Sequence, residues 1–447
     1  MKEEMQELLE KVKQDDVKLI HLMFTDVLGN IKASTIPVER LPEALEKGIW
    51  FDGSSIEGFK RIYESDMFLK PDTSTYAILP WGPKEGADAR FICDVYTPDG
   101  KPFEGDPRCI LKKTMKEAED MGFIYNVGPE LEFFLFKKNN GEKITTDAHD
   151  AAGYFDFAPR DLAWDVRRDI VFSLQSLGIE VEMSHHEVAI GQHEIDFKYN
   201  NALRTADNAI TLKLAVKSIA HKYGLHASFM PKPIFGENGS GMHTHQSLFD
   251  IKANQNAFFD AKDKYKLSKI AKSFIAGQLE HVKAMCPIMA PTVNSYKRLV
   301  PGYEAPVYIC WAQINRSALI RIPRYSEGRE QSTRAELRCP DPSCNPYLAF
   351  AVMLKTGLDG IKKKKEPPMP VEENVYHFDD DHLKKLNIST LPYSLWDALK
   401  ELEKDDIVKE ALGKMFYERY IQIKKAEWDS YRIQVTDWEL KRYLEVT

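Results

Sequence analysis

The segment NRSALIRIPRYSEGREQSTRAELRCPDPSCNP, residues 315–346, contains six arginines and places Glu336 between Arg334 and Arg338. Successive side chains of a β-strand point to opposite faces, so these three charged side chains share one face. The alanine and leucine between them then point into a core. The pattern predicts a sheet with one apolar and one charged face, and LIRI, which contains Arg321, predicts a second short strand in it.

The charged face of this segment needs a partner. Guanidinium groups gathered on one side of a sheet repel one another and lose hydration unless a polyanion lies among them. Phosphate and carboxylate ligands suit that need, because the arginine fork binds both with two hydrogen bonds. A solvated surface with salt bridges is the alternative, and this segment alone leaves both interpretations open.

The composition is that of a soluble globular protein, with 43% hydrophobic and 29% charged residues. A chain of 447 residues is longer than one hydrophobic core usually supports, so two domains are expected. The net charge of -7 gives no overall attraction to nucleic acid or to an anionic membrane, and we expect neither as a partner. Any anion site must therefore be local.

The location of the protein is predicted from what the sequence contains near its start and along its length. The first residues, MKEEMQELLEKVKQ, predict a charged amphipathic helix rather than a signal sequence, and no apolar run is long enough to cross a bilayer. We therefore expect a cytoplasmic protein. The six cysteines form no CxxC pair, which indicates reduced structural thiols rather than disulfides or a zinc site.

A small α+β domain is predicted at residues 1–104 and a larger domain at residues 105–447, with the turn-rich stretch YTPDGKPFEGDPR between them. Sequence patterns in the first domain predict a hairpin turning at 28–30, a helix over 39–47 and strands at 76–79 and 90–96. In the second domain they predict helices over 160–178, 203–223, 262–285 and 394–430, and strands over 123–136, 179–190, 225–230, 243–249, 317–322 and 334–338.

Two predicted strands of the second domain carry acidic side chains where a core strand should be apolar. In PELEFFLF, Glu130 and Glu132 share one face, and two such carboxylates are costly unless a cation neutralises them. In MSHHEVAIGQHEIDF, Gly191 interrupts the strand between Glu187 and Glu194, so a bend could aim both acids at one point. Three histidines, at 185, 186 and 193, lie beside them.

A third segment, NGSGMHTHQS, places His243 and His245 on one face of a strand after a glycine-rich turn. Together with Glu336, the acids above form an oxygen-rich set that suits Mg²⁺ or Mn²⁺ better than zinc. Five glutamates and one histidine would supply two three-ligand sites. Two divalent ions beside arginines are typical of phosphoryl transfer, although each segment alone is more often structural.

Several common sites are excluded by their missing motifs. The sequence contains no P-loop and no Rossmann glycine fingerprint, so a nucleotide would have to bind through metal ions and arginines. It also contains no GxSxG motif, which argues against a serine hydrolase of that type.

Four motifs, FDGSS at 51–55, NGSGMH at 238–243, NSYKRLVPGYEAP at 294–306 and RAELRCPDPSCNPYL at 334–348, resemble those of type I glutamine synthetases. The resemblance covers essentially the whole chain. It implies an α+β fold with an N-terminal β-grasp-like domain and a catalytic domain whose curved antiparallel sheet is flanked by helices. It also implies a dodecamer of two six-membered rings, with active sites between adjacent subunits.

The resemblance implies a ligase that joins ammonium to the γ-carboxylate of L-glutamate through γ-glutamyl phosphate, with ATP as substrate and two or more Mg²⁺ or Mn²⁺ ions per active site, in nitrogen assimilation. It implies four sets of binding residues. Glu132, Glu187 and Glu194 match the ligands of one metal ion, and Glu130, His243 and Glu336 match those of another. Glutamate matches Asn238, Gly239, Arg298, Glu304, Arg316 and Arg338, and ATP matches Glu182, His245, Ser247, Arg316, Arg321 and Arg334.

The ammonium site is implied at Asp52 and Tyr154, with Asp52 supplied by the neighbouring subunit, and Asp52, Glu304 and Arg316 are the implied catalytic residues. Glu304 belongs to LVPGYEAP, which matches a lid that excludes water from the acyl phosphate. Arg61 resembles the arginine used in feedback inhibition by glutamine in the shorter subtype.

Two positions depart from the family pattern or from its longer subtype. Gln331 replaces a lysine near ATP in many relatives, and the surroundings of Tyr376 do not match the tyrosine that is adenylylated in the longer subtype, so we expect no adenylylation. A ligase that acts on a larger amine and an inactive nitrogen-sensing scaffold are the rival interpretations. Intact Asp52 and Glu304 favour ammonium, the filled metal positions favour an enzyme, and a regulatory protein partner is compatible with either.

Overall fold

The N-terminal domain is built on the predicted hairpin. The computed structural model describes residues 2–56, 66–83, 85–139, 143–302 and 305–446. The elements of the first domain are α1 (Lys2–Gln14), β1 (Val17–Thr25), β2 (Ile31–Pro37), α2 (Leu41–Lys47), β3 (Ile49–Asp52), β4 (Asp66–Pro71), β5 (Ala77–Ile78) and β6 (Ala87–Tyr96).

These strands form one mixed sheet in the order β2-β1-β6-β4-β3, with β5 also paired to β6. β1 and β6 are parallel neighbours in the middle of the sheet, which is the arrangement of a β-grasp. The predictions missed β3 and β4, because four- and six-residue strands carry too little alternation to be recognised without their partners. Ile20, Leu22 and Phe91 lie in the core of this domain.

The catalytic domain surrounds the long strand β7. Its elements are α3 (Pro107–Asp120), β7 (Phe123–Asn139), β8 (Lys143–Ala148), α4 (Trp164–Ser176), β9 (Val181–His186), β10 (Gln192–Phe197), β11 (Asn200–Asn201), α5 (Ala202–Lys222), β12 (Leu225–Ser228), β13 (Thr244–Asp250), β14 (Gln255–Asn256), α6 (Lys269–Met289), α7 (Ser295–Arg298), β15 (Tyr308–Ala312), β16 (Ala318–Arg321), β17 (Ala335–Leu337), α8 (Pro346–Lys362), α9 (Asp380–Lys385), α10 (Leu395–Lys404), α11 (Asp406–Leu412), α12 (Lys414–Arg432) and α13 (Asp437–Tyr443).

The sheet of this domain runs in the order β15-β16-β17-β13-β7-β10-β9, and β8, β11 and β12 also pair with β7. β15 and β16 are parallel, whereas the other pairs are antiparallel. Because β7 changes partners along its length, the sheet curves and directs one charged face inward. The predicted α+β class and its curved antiparallel sheet are confirmed.

Two predictions about helices need correction. α8 was not predicted, because its first half, PYLAFAVML, is uniformly apolar and polar residues at helical spacing occur only in its second half. It packs so closely on α6 that a Cβ at Gly277 would lie 2.2 Å from the carbonyl oxygen of Thr356. The stretch predicted as helical over 394–430 is three helices, separated at Asp405 and Gly413.

Arg108, at the start of α3, links the two domains. Its guanidinium donates to Asp207 of α5 at 3.0 and 3.1 Å, and to Asp94 and Asp72 of the N-terminal domain at 2.6 Å each. We call Arg108, Asp72, Asp94 and Asp207 the junction cluster. Because one guanidinium reaches three carboxylates, the cluster fixes the N-terminal domain against the catalytic domain.

All six cysteines are free thiols, five of them buried and Cys109 half-buried. Among the described residues, no helix combines the length and the apolar character of a membrane-spanning segment.

Candidate active site

Two glutamates face each other across paired strands at the centre of the curved sheet. The antiparallel register of β7 and β10 places Glu132 opposite Glu194 and Glu130 opposite Asp196. Residues directly opposite in a ladder have neighbouring side chains on the same face. The residues between them, Leu131 and Ile195, are fully buried on the other face, so core packing fixes the direction of the acids.

A second group forms where β13 meets β7 and β17. Ligand atoms of Glu130, His243 and Glu336 all lie within 4.8 Å of one another. Nδ1 of His243 is 3.2 Å from Glu130 and 3.8 Å from Glu336. The predicted strands therefore bring together three residues that are more than ninety positions apart in the chain.

The electrostatics of the two groups differ. Burial, together with the charge of Glu187, raises the pKa of Glu132 to about 8. Burial and the neighbouring Asp196 and Glu132 raise the pKa of Glu194 to about 12. By contrast, burial opposes ionisation of Glu130, but hydrogen bonds from His243 and His245 outweigh it and lower the pKa of that carboxyl group. The side containing Glu132 and Glu194 therefore resists ionisation of its carboxyl groups unless a cation lies among them.

The donor set fits a hard divalent cation. Carboxylate oxygens predominate, with one imidazole, and oxygen ligands are those that Mg²⁺ and Mn²⁺ prefer. The raised pKa values of these crowded carboxyl groups also indicate a cation site, since a cation among them would favour their ionised forms. Glu194 also forms a tight group with His185 and Asp196, a carboxylate that the sequence interpretation did not single out.

Polar neighbours hold the acids in place. Nε2 of Gln192 donates to Glu132 at 2.9 Å, and the backbone N–H of Gly241 donates to the same carboxylate oxygen at 2.9 Å. A Cβ at Gly241 would lie 2.6 Å from the guanidinium of Arg298, which explains the glycine in the motif NGSGMH. Gln192 was not predicted to matter, although it directly follows Gly191 in the predicted bend.

Behind these acids lies a buried histidine whose two ring nitrogens both face acceptors. Nδ1 of His186 donates to the carbonyl of Glu187 at 2.7 Å, and Nε2 donates to Asp150 at 2.8 Å. Burial lowers the pKa of His186, but the bonds to Asp150 and to the backbone of Glu187, together with the nearby carboxylate charges, outweigh this and the pKa is raised overall. Asp150 also accepts from the N–H of Gly191 at 3.2 Å, so it braces the bend between Glu187 and Glu194.

The arginines of the opening segment divide between two cavities. Arg321 and Arg338 pair with Glu336 at 3.0 and 3.1 Å and point into a cavity of about 350 Å³, which we call the acidic cavity. This cavity also contains all six predicted metal ligands and most of the predicted glutamate contacts. Its predicted residues are Glu130, Glu132, Tyr154, Glu187, Glu194, Asn238, Gly239, His243, Arg298, Arg316, Arg321, Glu336 and Arg338.

A neighbouring cavity of about 310 Å³, the side cavity, contains Arg334 and most of the predicted ATP contacts. Nε of Arg334 donates to Nδ1 of His245 at 3.1 Å, so His245 Nε2 carries the proton that it donates to Glu130 at 2.8 Å. This relay connects the two cavities. The predicted residues in the side cavity are Glu130, Glu182, His245, Ser247, Gln331 and Arg334.

Three predicted residues are not placed in these cavities. Asp52 lies at the end of β3 in the N-terminal domain, where its carboxylate accepts from the N–H of Ser54 at 2.8 Å. Glu304 and Arg61 lie outside the residues that the structure describes. Arg298 lines the acidic cavity, but its guanidinium is buried and donates to backbone carbonyls, including that of Cys339 at 2.9 Å.

Comparison with known families gives this geometry its context. The glutamine synthetase catalytic domain matches residues 104–443, and the glutamine synthetase beta-grasp domain matches residues 16–98. The chain belongs to the glutamine synthetase family. Among similar glutamine synthetases, that of Methanosarcina mazei is 55% identical over 441 residues, covering 99% of this chain and 98% of its own. That of Thermotoga maritima is 52% identical over 433 residues, covering 97% and 98%.

Solved structures support the same membership in the glutamine synthetase family. A GmaS/ADP complex matches with a TM-score of 0.88 and 31% identity, over 98% of this chain and 99% of that chain. The cryo-EM structure of Plasmodium falciparum glutamine synthetase also matches with a TM-score of 0.88, at 28% identity and over 98% of each chain. The family resemblance read from the four motifs is thus confirmed.

Proposed function

We propose that this member of the family is a glutamate–ammonia ligase, which uses ATP to join ammonium to the γ-carboxylate of L-glutamate. The observation that carries the proposal is the position of Glu130, which lines both cavities. A phosphoryl group can pass between two substrates only if both approach a common point. A shared wall of carboxylates, flanked by arginines, provides such a point.

We assign ATP to the side cavity and glutamate to the acidic cavity. Arg334, with Glu182, His245 and Ser247, would contact the nucleotide, and Arg316 and Arg321 would meet its phosphates from the acidic cavity. Asn238, Gly239, Arg298, Arg316 and Arg338 would contact glutamate, together with Glu304 of the lid. This division is supported by the arginines on both sides of Glu336, which would neutralise phosphate and carboxylate oxygens.

Two groups of residues would hold divalent cations, Mg²⁺ or Mn²⁺. Glu130, His243 and Glu336 form one, and Glu132, Glu187 and Glu194 form the other. Bound cations would neutralise phosphate charge at the shared wall. The γ-carboxylate of glutamate attacks the γ-phosphorus, ADP leaves, and ammonia then displaces phosphate from the γ-glutamyl phosphate. The chain's task is to align these groups and to exclude water between the two steps.

We assign ammonium to the part of the acidic cavity near Tyr154, with Asp52 arriving from a neighbouring subunit and accepting a proton. Hydrogen bonds from Ser54 lower the pKa of Asp52, which keeps the carboxylate ionised and able to attract a cation. Asp52 is not among the described residues that line the acidic cavity, and the family resemblance implies that it arrives from another copy. A dodecamer of two rings is therefore part of the proposal.

Regulation and location also remain predictions. We still expect feedback inhibition by glutamine at Arg61. We also expect a domain boundary near residue 104 and a cytoplasmic location. The hydroxyl of Tyr376 donates to the carbonyl of Ala305 at 2.9 Å, and adenylylation would break that bond. This contact is consistent with the expectation that Tyr376 is not modified.

The decisive experiment is Glu336→Ala, assayed for ATP- and glutamate-dependent phosphate release with ammonium. We expect activity to be abolished, because Glu336 contributes to the metal group and orders Arg321 and Arg338. Glu327→Ala, an exposed glutamate in the same segment, is the matched control and should leave turnover unchanged. A folded Glu336→Ala protein with near-normal turnover would refute the metal assignment.

The amine specificity needs a separate assay. Phosphate release is measured with ammonium, ethanolamine and putrescine at equal concentrations, and native mass is measured on the same sample. We expect strong preference for ammonium and a mass of twelve subunits, as the family resemblance implies. Preference for either larger amine would overturn the substrate assignment while leaving the ATP-dependent ligase chemistry intact.

A further inference from the structure

One bulky residue beside the acidic cavity has a backbone conformation that side chains disfavour. Phe155 has a φ of 57°, in the left-handed region, which makes a bulky residue an outlier. It is the third residue of a tight turn closed by a hydrogen bond of 3.0 Å from the N–H of Asp156 to the carbonyl of Gly153. Glycine or asparagine ordinarily fills a turn position with positive φ. The turn itself therefore gives no reason for phenylalanine.

Core packing gives no reason for it either, because the Phe155 side chain is 56% exposed. The ring instead contacts two aromatic neighbours, with centroids 4.2 Å from Tyr154 and 4.7 Å from His185. The N–H of Phe155 donates to the carbonyl of His186 at 3.0 Å. The strained residue thus fastens this turn to the end of β9, next to Glu187.

The two rings that Phe155 contacts both belong to the acidic cavity. Tyr154 and His185 line it, and their rings meet edge to face at 5.6 Å. Nε2 of His185 also lies 2.9 Å from the carboxylate of Glu187. Removing the Phe155 ring would leave both side chains free to turn, while the carboxylates on β7 and β10 would stay in their ladder.

We propose that Phe155 is a positioning residue that holds Tyr154 and His185 at the mouth of the acidic cavity, and so sets the affinity for ammonium there. Backbone strain persists where the surroundings over-determine it, and it concentrates at functional sites. Aromatic faces attract small cations, so fixed rings beside carboxylates suit an ammonium ion. The inference rests on the proposed function, because Tyr154 is assigned to ammonium only there.

Phe155→Gly removes both the ring and the strain, whereas Phe155→Tyr keeps both. For Phe155→Gly we expect a KM for ammonium about fivefold higher, the size of a lost aromatic contact. Its KM for ATP should change less than about twofold. A general loss of folding would affect both substrates alike, so a selective change in the ammonium KM distinguishes a positioning role from a structural one. Its denaturation midpoint should equal or exceed that of the wild type, and Phe155→Tyr should restore the ammonium KM.

Lys364→Gly is the matched control, because Lys364 has a φ of 50° and follows α8, away from both cavities. It should raise the denaturation midpoint without changing any KM. An unchanged ammonium KM in Phe155→Gly would overturn the proposal. So would loss of the wild-type oligomer in that variant, since the ring would then serve assembly.

A crystal structure of the Phe155→Gly protein tests the placement without an activity assay. Displacement of the Tyr154 ring would support the proposal, and an unmoved ring would contradict it. Failure of the proposed function itself is recognised separately, because the wild-type enzyme would then show no ammonium-dependent turnover.

Discussion

The junction cluster and the acidic cavity are both rich in buried charge, but their charges are balanced differently. In the junction cluster one guanidinium bonds to three carboxylates, and Lys112 pairs with Asp94 at 2.6 Å. Burial opposes ionisation of Asp72, yet hydrogen bonds from Ser74 and Arg108 lower its pKa. In the acidic cavity, Glu132 and Glu194 lie side by side with raised pKa values.

A structural charge cluster differs from a functional one in whether the fold supplies its counter-charges. Charges that satisfy one another within the fold need no ligand, and they serve to lock domains. Acidic groups that the strand register holds together lack enough counter-charge within the fold, so they favour a ligand of the opposite sign. Side chains of the same chemical type therefore serve two purposes, and the number of local counter-charges distinguishes them.

The largest effect should come from the junction cluster. Arg108→Gln leaves three carboxylates without their shared partner, and breaking a buried ion pair costs about 3–5 kcal/mol in the free energy of unfolding. Denaturant titration measures the loss. Arg160→Gln is the control, because Arg160 pairs with Asp156 on the surface and should cost less than about 1 kcal/mol. Equal stability of the two variants would remove the distinction between the clusters.

Next in size is the loss of one carboxylate from the acidic cavity. Glu194→Gln keeps the shape of the side chain but removes a carboxylate ligand, so turnover should fall at least about 100-fold, or about 2.7 kcal/mol. Stability without divalent cations should stay equal or rise, because folding no longer has to suppress the ionisation of this buried carboxyl group. Steady-state kinetics and denaturant titration in chelator give the two values. Wild-type turnover in Glu194→Gln, or a clear loss of its stability without cations, would contradict the difference drawn between the acidic cavity and the junction cluster.

Divalent cations should stabilise only the second of the two clusters. At ten times the dissociation constant, Mg²⁺ or Mn²⁺ should raise the free energy of unfolding of the wild type by about 1.4 kcal/mol. Arg108→Gln should retain this increment, whereas Glu194→Gln should lose most of it. Titration of unfolding with each metal is the measurement, and an increment that Arg108→Gln abolishes would show that the clusters are not independent.

The smallest effect concerns a third cluster of the self-balanced kind. His281 donates through Nδ1 to Asp405 at 2.6 Å and through Nε2 to Asp359 at 3.2 Å. Burial lowers the pKa of His281, but the bonds to Asp405 and Asp359 together with the nearby carboxylate charges outweigh this, and the pKa is raised overall. Its contribution to stability is therefore complete below the ordinary histidine pKa and disappears as pH rises through the raised value.

His281→Gln should flatten the fall in denaturation midpoint that the wild type shows as pH rises above the ordinary histidine pKa of about 6.5. His377→Gln, whose ring is exposed, should leave that fall unchanged. A wild-type slope in His281→Gln would show that His281 is not the titrating group.

The acidic residues of the site could be predicted from the sequence, because the alternation of side chains is a local property of a strand. Glu130 and Glu132 interrupt an apolar run, and Gly191 marks the bend before Glu194, so each could be recognised within ten residues. Gln192 and Asp150 carried no such signal. Their importance comes from contacts with Glu132 and His186, which are distant in the chain or belong to a second strand.

The family, the order of the domains, the acidic strands and the arginine-rich segment that faces them can be inferred from local sequence patterns. Which charges are balanced depends on the three-dimensional fold, because register and burial place counter-charges from remote segments. The fold separated Arg334, in the side cavity, from Arg321 and Arg338, in the acidic cavity, although all three lie within eighteen residues of one another. It also showed the strained turn at Phe155, since a backbone angle depends on the contacts that hold it and not on residue type alone.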